Sequence, residues 1–106
     1  MISFDEFKKM EMKVAEVLEV KDHPNADKLY IMKIKIGEEE REIVAGIKPF
    51  YKPEELIGRQ IVVVTNLEPA KIRGVESHAM LLAARDENSI SILVPDKPVK
   101  SGSIVG

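Results

Sequence analysis

A chain of 106 residues offers enough material for one domain with a single hydrophobic core. Its apolar fraction of 44% excludes a disordered chain, and the absence of cysteine excludes disulfides and thiolate zinc sites. Sixteen basic residues against 18 acidic ones leave a net charge of −2, which counts against nucleic-acid binding unless the cations cluster.

Ser3-Phe-Asp-Glu6 reads as a capping box, with Ser3 as N-cap and Glu6 at N3, followed by a short helix through about Met10. Met12 to Val20 reads as a first strand. Val17 and Leu18 are adjacent apolar residues that would face opposite sides, which predicts a bulge or a strand buried on both faces. Asp22-His-Pro-Asn-Ala-Asp27 is a polar loop in which Pro24 extends the backbone at His23. Tyr30 to Ile36 alternates, with Tyr30, Met32, Ile34 and Ile36 on one face and Ile31, Lys33 and Lys35 on the other. Gly37-Glu-Glu-Glu predicts a hairpin turn, and Arg41 to Ala45 a third strand. Lys52 to Gly58 predicts a compact helix, with Pro53 at N1 and Gly58 at C′. Gln60 to Thr65 is a fourth strand. Asn66 to Glu76 is a long loop holding Pro69 and Gly74. Ser77 to Arg85 is a fifth strand, and a turn at Asp86-Glu-Asn-Ser leads into Ile90 to Val94.

Three strands, a short helix and then further strands is the order of an OB-fold, a five-stranded Greek-key barrel. The expected class is therefore all-β, with the short helix between strands 3 and 4 and a single domain over residues 1–106. Residues 1–10 form a helical N-terminal extension and 95–106 a C-terminal one. Ile2, Phe4, Phe7, Val99, Ile104 and Val105 are more apolar than solvated extensions need, so they should pack on the barrel or on another subunit.

No nucleophile elbow, phosphate-binding glycine loop or His-x-x-x-His pair is present, and the two histidines lie far apart. Catalytic residues, metal ligands and cofactors are therefore not expected. His23 reads as a loop hydrogen-bonding group, and His78 as either a partner contact or a solvated residue. Glu54 and Glu55 read as helix-dipole partners. With no signal-peptide pattern and no apolar run near the roughly 20 residues that span a bilayer, a cytoplasmic location without membrane contact is expected.

The remaining expectation is binding. OB-folds take oligonucleotides across strands 2 and 3, between the loops joining strands 1–2 and 4–5. Lys28, Lys33, Lys71 and Arg73 can meet phosphates, and Asn25, Asn66 and Ser77 can hydrogen-bond phosphate, sugar or base. The same asparagines also read as turn caps and the lysines as solubilising groups; residue types and spacing leave the two open. The aromatics are only Phe4, Phe7, Phe50, Tyr30 and Tyr51, few for stacking on single strands, so a folded RNA recognised by shape fits better.

At these residues the chain resembles the tRNA-binding domain appended to methionyl-tRNA synthetases and found in free-standing tRNA-binding proteins. The resemblance rests on Met12-Lys-Val-Ala-Glu-Val, His23-Pro-Asn-Ala-Asp-Lys-Leu-Tyr30, Ile43-Val-Ala-Gly-Ile47, Tyr51-Lys-Pro-Glu-Glu-Leu56, Asn66-Leu-Glu-Pro69, and Lys71-Ile-Arg-Gly-Val-Glu-Ser77 with Met80. It implies binding of the outer corner of tRNA by shape, homodimers held by the two extensions, and service to a methionyl-tRNA synthetase catalytic body in the same chain or a separate one. It ties Asn25, Lys28, Lys33, Asn66, Lys71, Arg73, Ser77 and Met80 to tRNA. Ala79 stands where the family often has Gly, and His78 where it has an acidic or amide residue. A dimeric secretion chaperone on the same fold is the alternative; it diverges in the Asn-Ala-Asp-Lys-Leu-Tyr and Asn-Leu-Glu-Pro stretches, both intact here.

Overall fold

A computed structural model describes residues 1–106 as a curled antiparallel sheet closed into an OB-type barrel. Helix α1 (Phe4–Lys8) opens the chain, and the amide of Glu6 donates to the Ser3 hydroxyl at 3.1 Å, the expected N-cap. The helix stops at Lys8, short of the expected Met10.

Strand β1 (Met12–Asp22) is the spine of the sheet. Along one edge it pairs with β4 (Gln60–Val64); along the other, with β2 (Tyr30–Ile36) through residues 16–22. The register slips between Val17 and Glu19, so the adjacent apolar pair marks a bulge, as read from sequence. β2 pairs in turn with β3 (Glu39–Ala45), which begins two residues earlier than expected because Glu39 and Glu40 already register with Ile36 and Lys35. Between β3 and β4 lies α2 (Pro53–Leu56), where the Glu55 carboxylate accepts the Lys52 amide at 2.8 Å.

The long loop after β4 is not irregular. It folds into a small hairpin of β5 (Ala70–Ile72) and β6 (Val75–Ser77). The expected single strand from Ser77 to Arg85 is likewise broken into β6, β7 (Met80–Leu81) and β8 (Ala83–Arg85), which pair with β5, β4 and β9 (Ile90–Ile92) respectively. The break follows from this change of partners. At Ser77 the hydroxyl donates to the Ala79 carbonyl at 2.9 Å and turns the chain.

The barrel closes where β3 meets this broken segment. The Val44 amide donates to Ser77 Oγ at 3.0 Å, and the His78 amide to the Glu42 carbonyl at 3.0 Å. Inside, Val17, Met32, Ile34, Ile43, Leu56, Ile61 and Val63 are fully buried, and Ala79 joins the same core. The Tyr30 hydroxyl reaches the Tyr51 carbonyl at 2.7 Å, and burial, then the nearby Asp22 charge, raises its pKa.

The C-terminal extension ends in β10 (Ile104–Val105), which pairs with Met12 and Lys13 and fills the part of the β1 edge that β2 leaves open. Phe7 and Val105 are half-buried, whereas Ile2, Phe4 and Ile104 are 66%, 72% and 83% exposed. Only part of the apolar content of the two extensions is thus used by the barrel itself.

Candidate nucleic-acid interface

The loop between β1 and β2 and the β5–β6 hairpin are far apart in sequence and clasped in space. Pro24 holds His23 extended, and its ring turns inward until it is 5% exposed. His23 Nδ1 accepts the Asn25 amide at 2.9 Å, while Nε2 lies 3.0 Å from the Ile72 carbonyl. A carbonyl can only accept, so the ring carries its proton on Nε2. The expected loop hydrogen-bonding role of His23 is what the structure has.

Across the clasp, the two-residue turn Arg73-Gly74 joins Ile72 to Val75 with φ of +52° and +89°. Two left-handed residues make a type I′ turn, and glycine supplies one of them without strain. The Asn25 side-chain amide donates to the Arg73 carbonyl at 3.3 Å. Lys28 and Arg73 consequently line one cleft, with Ala26, Asp27 and Leu29.

The remaining residues that the family resemblance ties to tRNA divide by what their side chains already do. Lys71 is exposed on β5, opposite Glu76. Ser77 is buried and its hydroxyl is fully used, accepting from Val44 and donating to Ala79. Asn66 lies apart from the clasp: Oδ1 accepts the Glu11 amide at 2.8 Å and Nδ2 donates to the Lys9 carbonyl at 2.6 Å, pinning the exit of α1 to the end of β4. Met80 is 48% exposed and borders an apolar cleft shared with Val44, Leu67, Ala70, Ile72 and Ala79.

Lys33 sits on the outer sheet face in a cross-strand row. Its neighbours are Glu19 on β1 and Glu42 on β3, and its ammonium is 3.8 Å from the Glu19 carboxylate. Lys35 repeats the pattern between Glu16 and Glu40. The face that reads as basic from β2 alone is thus an alternating ladder of charge. Two exposed cations, Lys28 and Arg73, lie instead at the clasp, in a cleft that Asp27 also lines.

One residue that sequence reasoning passed over is Arg41. Its Nη1 donates to the carbonyls of Thr65 at 2.6 Å and His78 at 3.1 Å, while Nε and Nη2 grip Glu39 at 3.0 and 3.2 Å. It registers opposite core residue Ile34, and a charge on the apolar side of an alternating strand was the available signal. His78 itself is exposed, 3.5 Å from Glu76. The Ala79 methyl fits the core, so its departure from glycine does not disturb the fold.

No helix is long and apolar enough to cross a membrane, and no three His, Cys, Asp or Glu side chains group as metal ligands would. The barrel, with its β1–β2 loop clasped to the β5–β6 hairpin and that hairpin bonded to β3, has the architecture of an OB-fold. Residues 12–104 match the model of the tRNA binding domain family, and the chain belongs to that family.

Over 102 residues the chain is 55% identical to the methionine–tRNA ligase of Thermococcus kodakarensis, and over 104 residues 54% identical to that of Pyrococcus horikoshii. These matches take in 96% and 98% of this chain but only 14% of each ligase. Among solved structures, a MetRS-related protein from Pyrococcus horikoshii superposes with a TM-score of 0.93 at 36% identity, covering 100% of this chain and 98% of that one. A chaperone CsaA from Bacillus anthracis superposes equally well, at 0.93, with 27% identity and 100% and 99% coverage.

Proposed function

We propose that the chain binds folded tRNA by shape and backbone charge, without chemistry of its own, and raises the tRNA affinity of methionyl-tRNA synthetase. It does so as the C-terminal domain of that enzyme or as a separate chain, in the cytoplasm and as a homodimer. The observation that carries this reading is the clasp, which brings Lys28 and Arg73 to one cleft in a member of a tRNA-binding family.

The mechanism is tethering. Holding tRNA beside a catalytic body raises its effective concentration there with no new reacting group. Lys28, Lys71 and Arg73 meet phosphates, which specify position but not sequence. Lys33 adds a further cation once it exchanges Glu19 for phosphate. Met80 and its apolar cleft contribute contact area. Asn25 and Ser77, whose polar atoms are engaged within the chain, serve by holding the loops that carry the cations, and Asn66 by fixing the exit of α1 to the end of β4.

A titration of folded tRNA against single-stranded DNA at several salt concentrations tests this. tRNA should bind more tightly, with affinity falling steeply as salt rises. Arg73→Glu should weaken binding by about tenfold or more, Lys33→Glu by less because it starts ion-paired, both with little change in Tm. Equal weak binding to both nucleic acids would sink the claim of shape recognition.

The superposition on a CsaA chaperone supports a second reading, the capture of unfolded peptide. The intact Asn25-Ala-Asp-Lys-Leu-Tyr30 and Asn66-Leu-Glu-Pro69 stretches favour tRNA. A reduced, unfolded peptide that competes with tRNA at lower concentration would reverse that order.

A further inference from the structure

We propose that His23 is a positioning residue for tRNA binding: its Nε2–H bond to the Ile72 carbonyl sets the Arg73-Gly74 tip against the 1–2 loop, so that Lys28 and Arg73 act as one site. The proposal rests on the tRNA-binding reading above.

His23 cannot itself be a main contact, since only 5% of it is exposed. What it does is join two segments 49 residues apart. The β5–β6 hairpin has three residues in each strand, too few for a hairpin to hold its own orientation. Its tip also carries Arg73, the one non-glycine residue at positive φ, a conformation that side chains with a Cβ rarely adopt. Such a conformation persists where its surroundings enforce it. The base of the hairpin is held on β3, by Val44 to Ser77 and His78 to Glu42, and its tip is held by the 1–2 loop, through His23 to Ile72 and Asn25 to Arg73. Both tip bonds run to backbone carbonyls of the hairpin, so the 1–2 loop holds the hairpin main chain whatever the hairpin side chains are. Lys28 lies on the same loop. Fixing the tip therefore fixes the spacing of the two cations before tRNA arrives, and the ordering cost is not charged against binding.

Two substitutions separate the two nitrogens of the ring. His23→Gln carries an amide nitrogen near the place of Nε2 and can keep the bond to Ile72, but it loses the acceptor for the Asn25 amide. His23→Asn keeps that local acceptor, as in an Asx-turn, and is too short to reach Ile72. Wild type and both variants are titrated with folded tRNA across a range of salt. His23→Gln should stay within about twofold of wild type. His23→Asn should lose about tenfold, with a salt dependence shallower by about one phosphate contact.

An Asn variant with wild-type affinity and slope overturns the proposal, as does a Gln variant that loses as much as Asn. If wild type itself ignores tRNA, the functional reading falls first and this inference with it. A measurement on the unaltered protein stands apart from whether the variants fold. Long-range ¹⁵N–¹H NMR of the ring should show the Nε2–H tautomer, and the Nδ1–H tautomer would refute the clasp.

Discussion

At the scale of single residues, Arg41 shows how a charge can be structural in a binding protein. Its guanidinium spans the seam of the barrel, bonding the carbonyls of Thr65 and His78 while anchored on Glu39. Thr65 is buried, so its carbonyl has no ready substitute partner. Arg41→Met should therefore cost about 2–3 kcal/mol, the usual loss for hydrogen bonds to a charged group together with stranded acceptors. In a domain of this size that lowers Tm by roughly 10 °C or more. Lysine should not restore it, because one ammonium cannot reproduce the planar fork; a Lys variant as stable as wild type would argue against the seam. The same residue sets a pH response. Hydrogen bonding to Arg41, then its charge, lowers the pKa of Glu39, and the Thr65 hydroxyl, then Lys13, lowers that of Glu11. Backbone and hydroxyl donors at Asn88 and Ser89 do the same for Asp86. Depressed carboxylates stabilise the fold above their unfolded values, and that contribution fades as pH falls through the folded ones. Stability should thus be level from neutrality to about pH 5 and decline below about pH 4, less steeply in Arg41→Met. A variant that declines just as steeply would remove Glu39 from this account.

At the scale of elements, the C-terminal extension behaves as part of the sheet. The Gly102 amide donates to the Val14 carbonyl at 2.7 Å, the Val14 amide to Ser103 at 2.9 Å, and Ser101 Oγ bridges Gly37 and Lys35. Gln60, the single glutamine, fixes the start of the tail by accepting the Val99 amide at 3.1 Å. Gly102 has φ of +90°, and a Cβ there would stand 3.1 Å from the backbone of Gly37. Gly102→Ala should therefore destabilise by about 1–3 kcal/mol, read by denaturant unfolding, with faster hydrogen exchange at the Val14 amide. Unchanged stability and protection would mean that the tail is not integral. None of this is legible from the tail's own residues, because these bonds run to segments far away in the chain. What could be read from sequence was local and periodic: the alternation of Tyr30 to Ile36, the bulge at Val17-Leu18, the proline-started helix at Pro53. The β5–β6 hairpin was hidden because each strand has only three residues, and its turn uses Arg-Gly where Asn-Gly is the usual signal. The site divides along the same line. Cations were visible as residue types. That Asn25, Asn66 and Ser77 spend their polar atoms on backbone partners 33 to 57 positions distant was not.

For the molecule as a whole, the surface area bears on assembly. A compact monomer of 11.9 kDa exposes about 6,000 Å², whereas this chain exposes 7130 Å². The surplus is comparable to the roughly 800 Å² that each partner contributes to a stable interface. Its most conspicuous apolar part lies on the two extensions, at Ile2, Phe4, Met10, Val99 and Ile104. Ile2, Phe4, Met10 and Ile104 lie towards one end of the molecule, since β10 pairs with Met12 and Lys13, directly after α1, whereas Val99 sits further along β1, at Gln60. The clasp belongs to other elements, the 1–2 loop and the β5–β6 hairpin, so an interface built on the extensions need not use its cations. A dimer joined through this end would carry two such sites. Light scattering at micromolar concentration should report about twice the 11.9 kDa chain mass. Phe4→Glu or Ile104→Lys should shift it towards one chain, since either places a charge in an interface core where charges are depleted. Each substituted side chain is exposed within a single chain, so the barrel should keep its strand content. If the monomeric variants bind one tRNA per chain with the intrinsic affinity of the dimer, the extensions serve assembly alone. A wild-type chain that remains a clean monomer would leave the exposed apolar end without the partner argued for it.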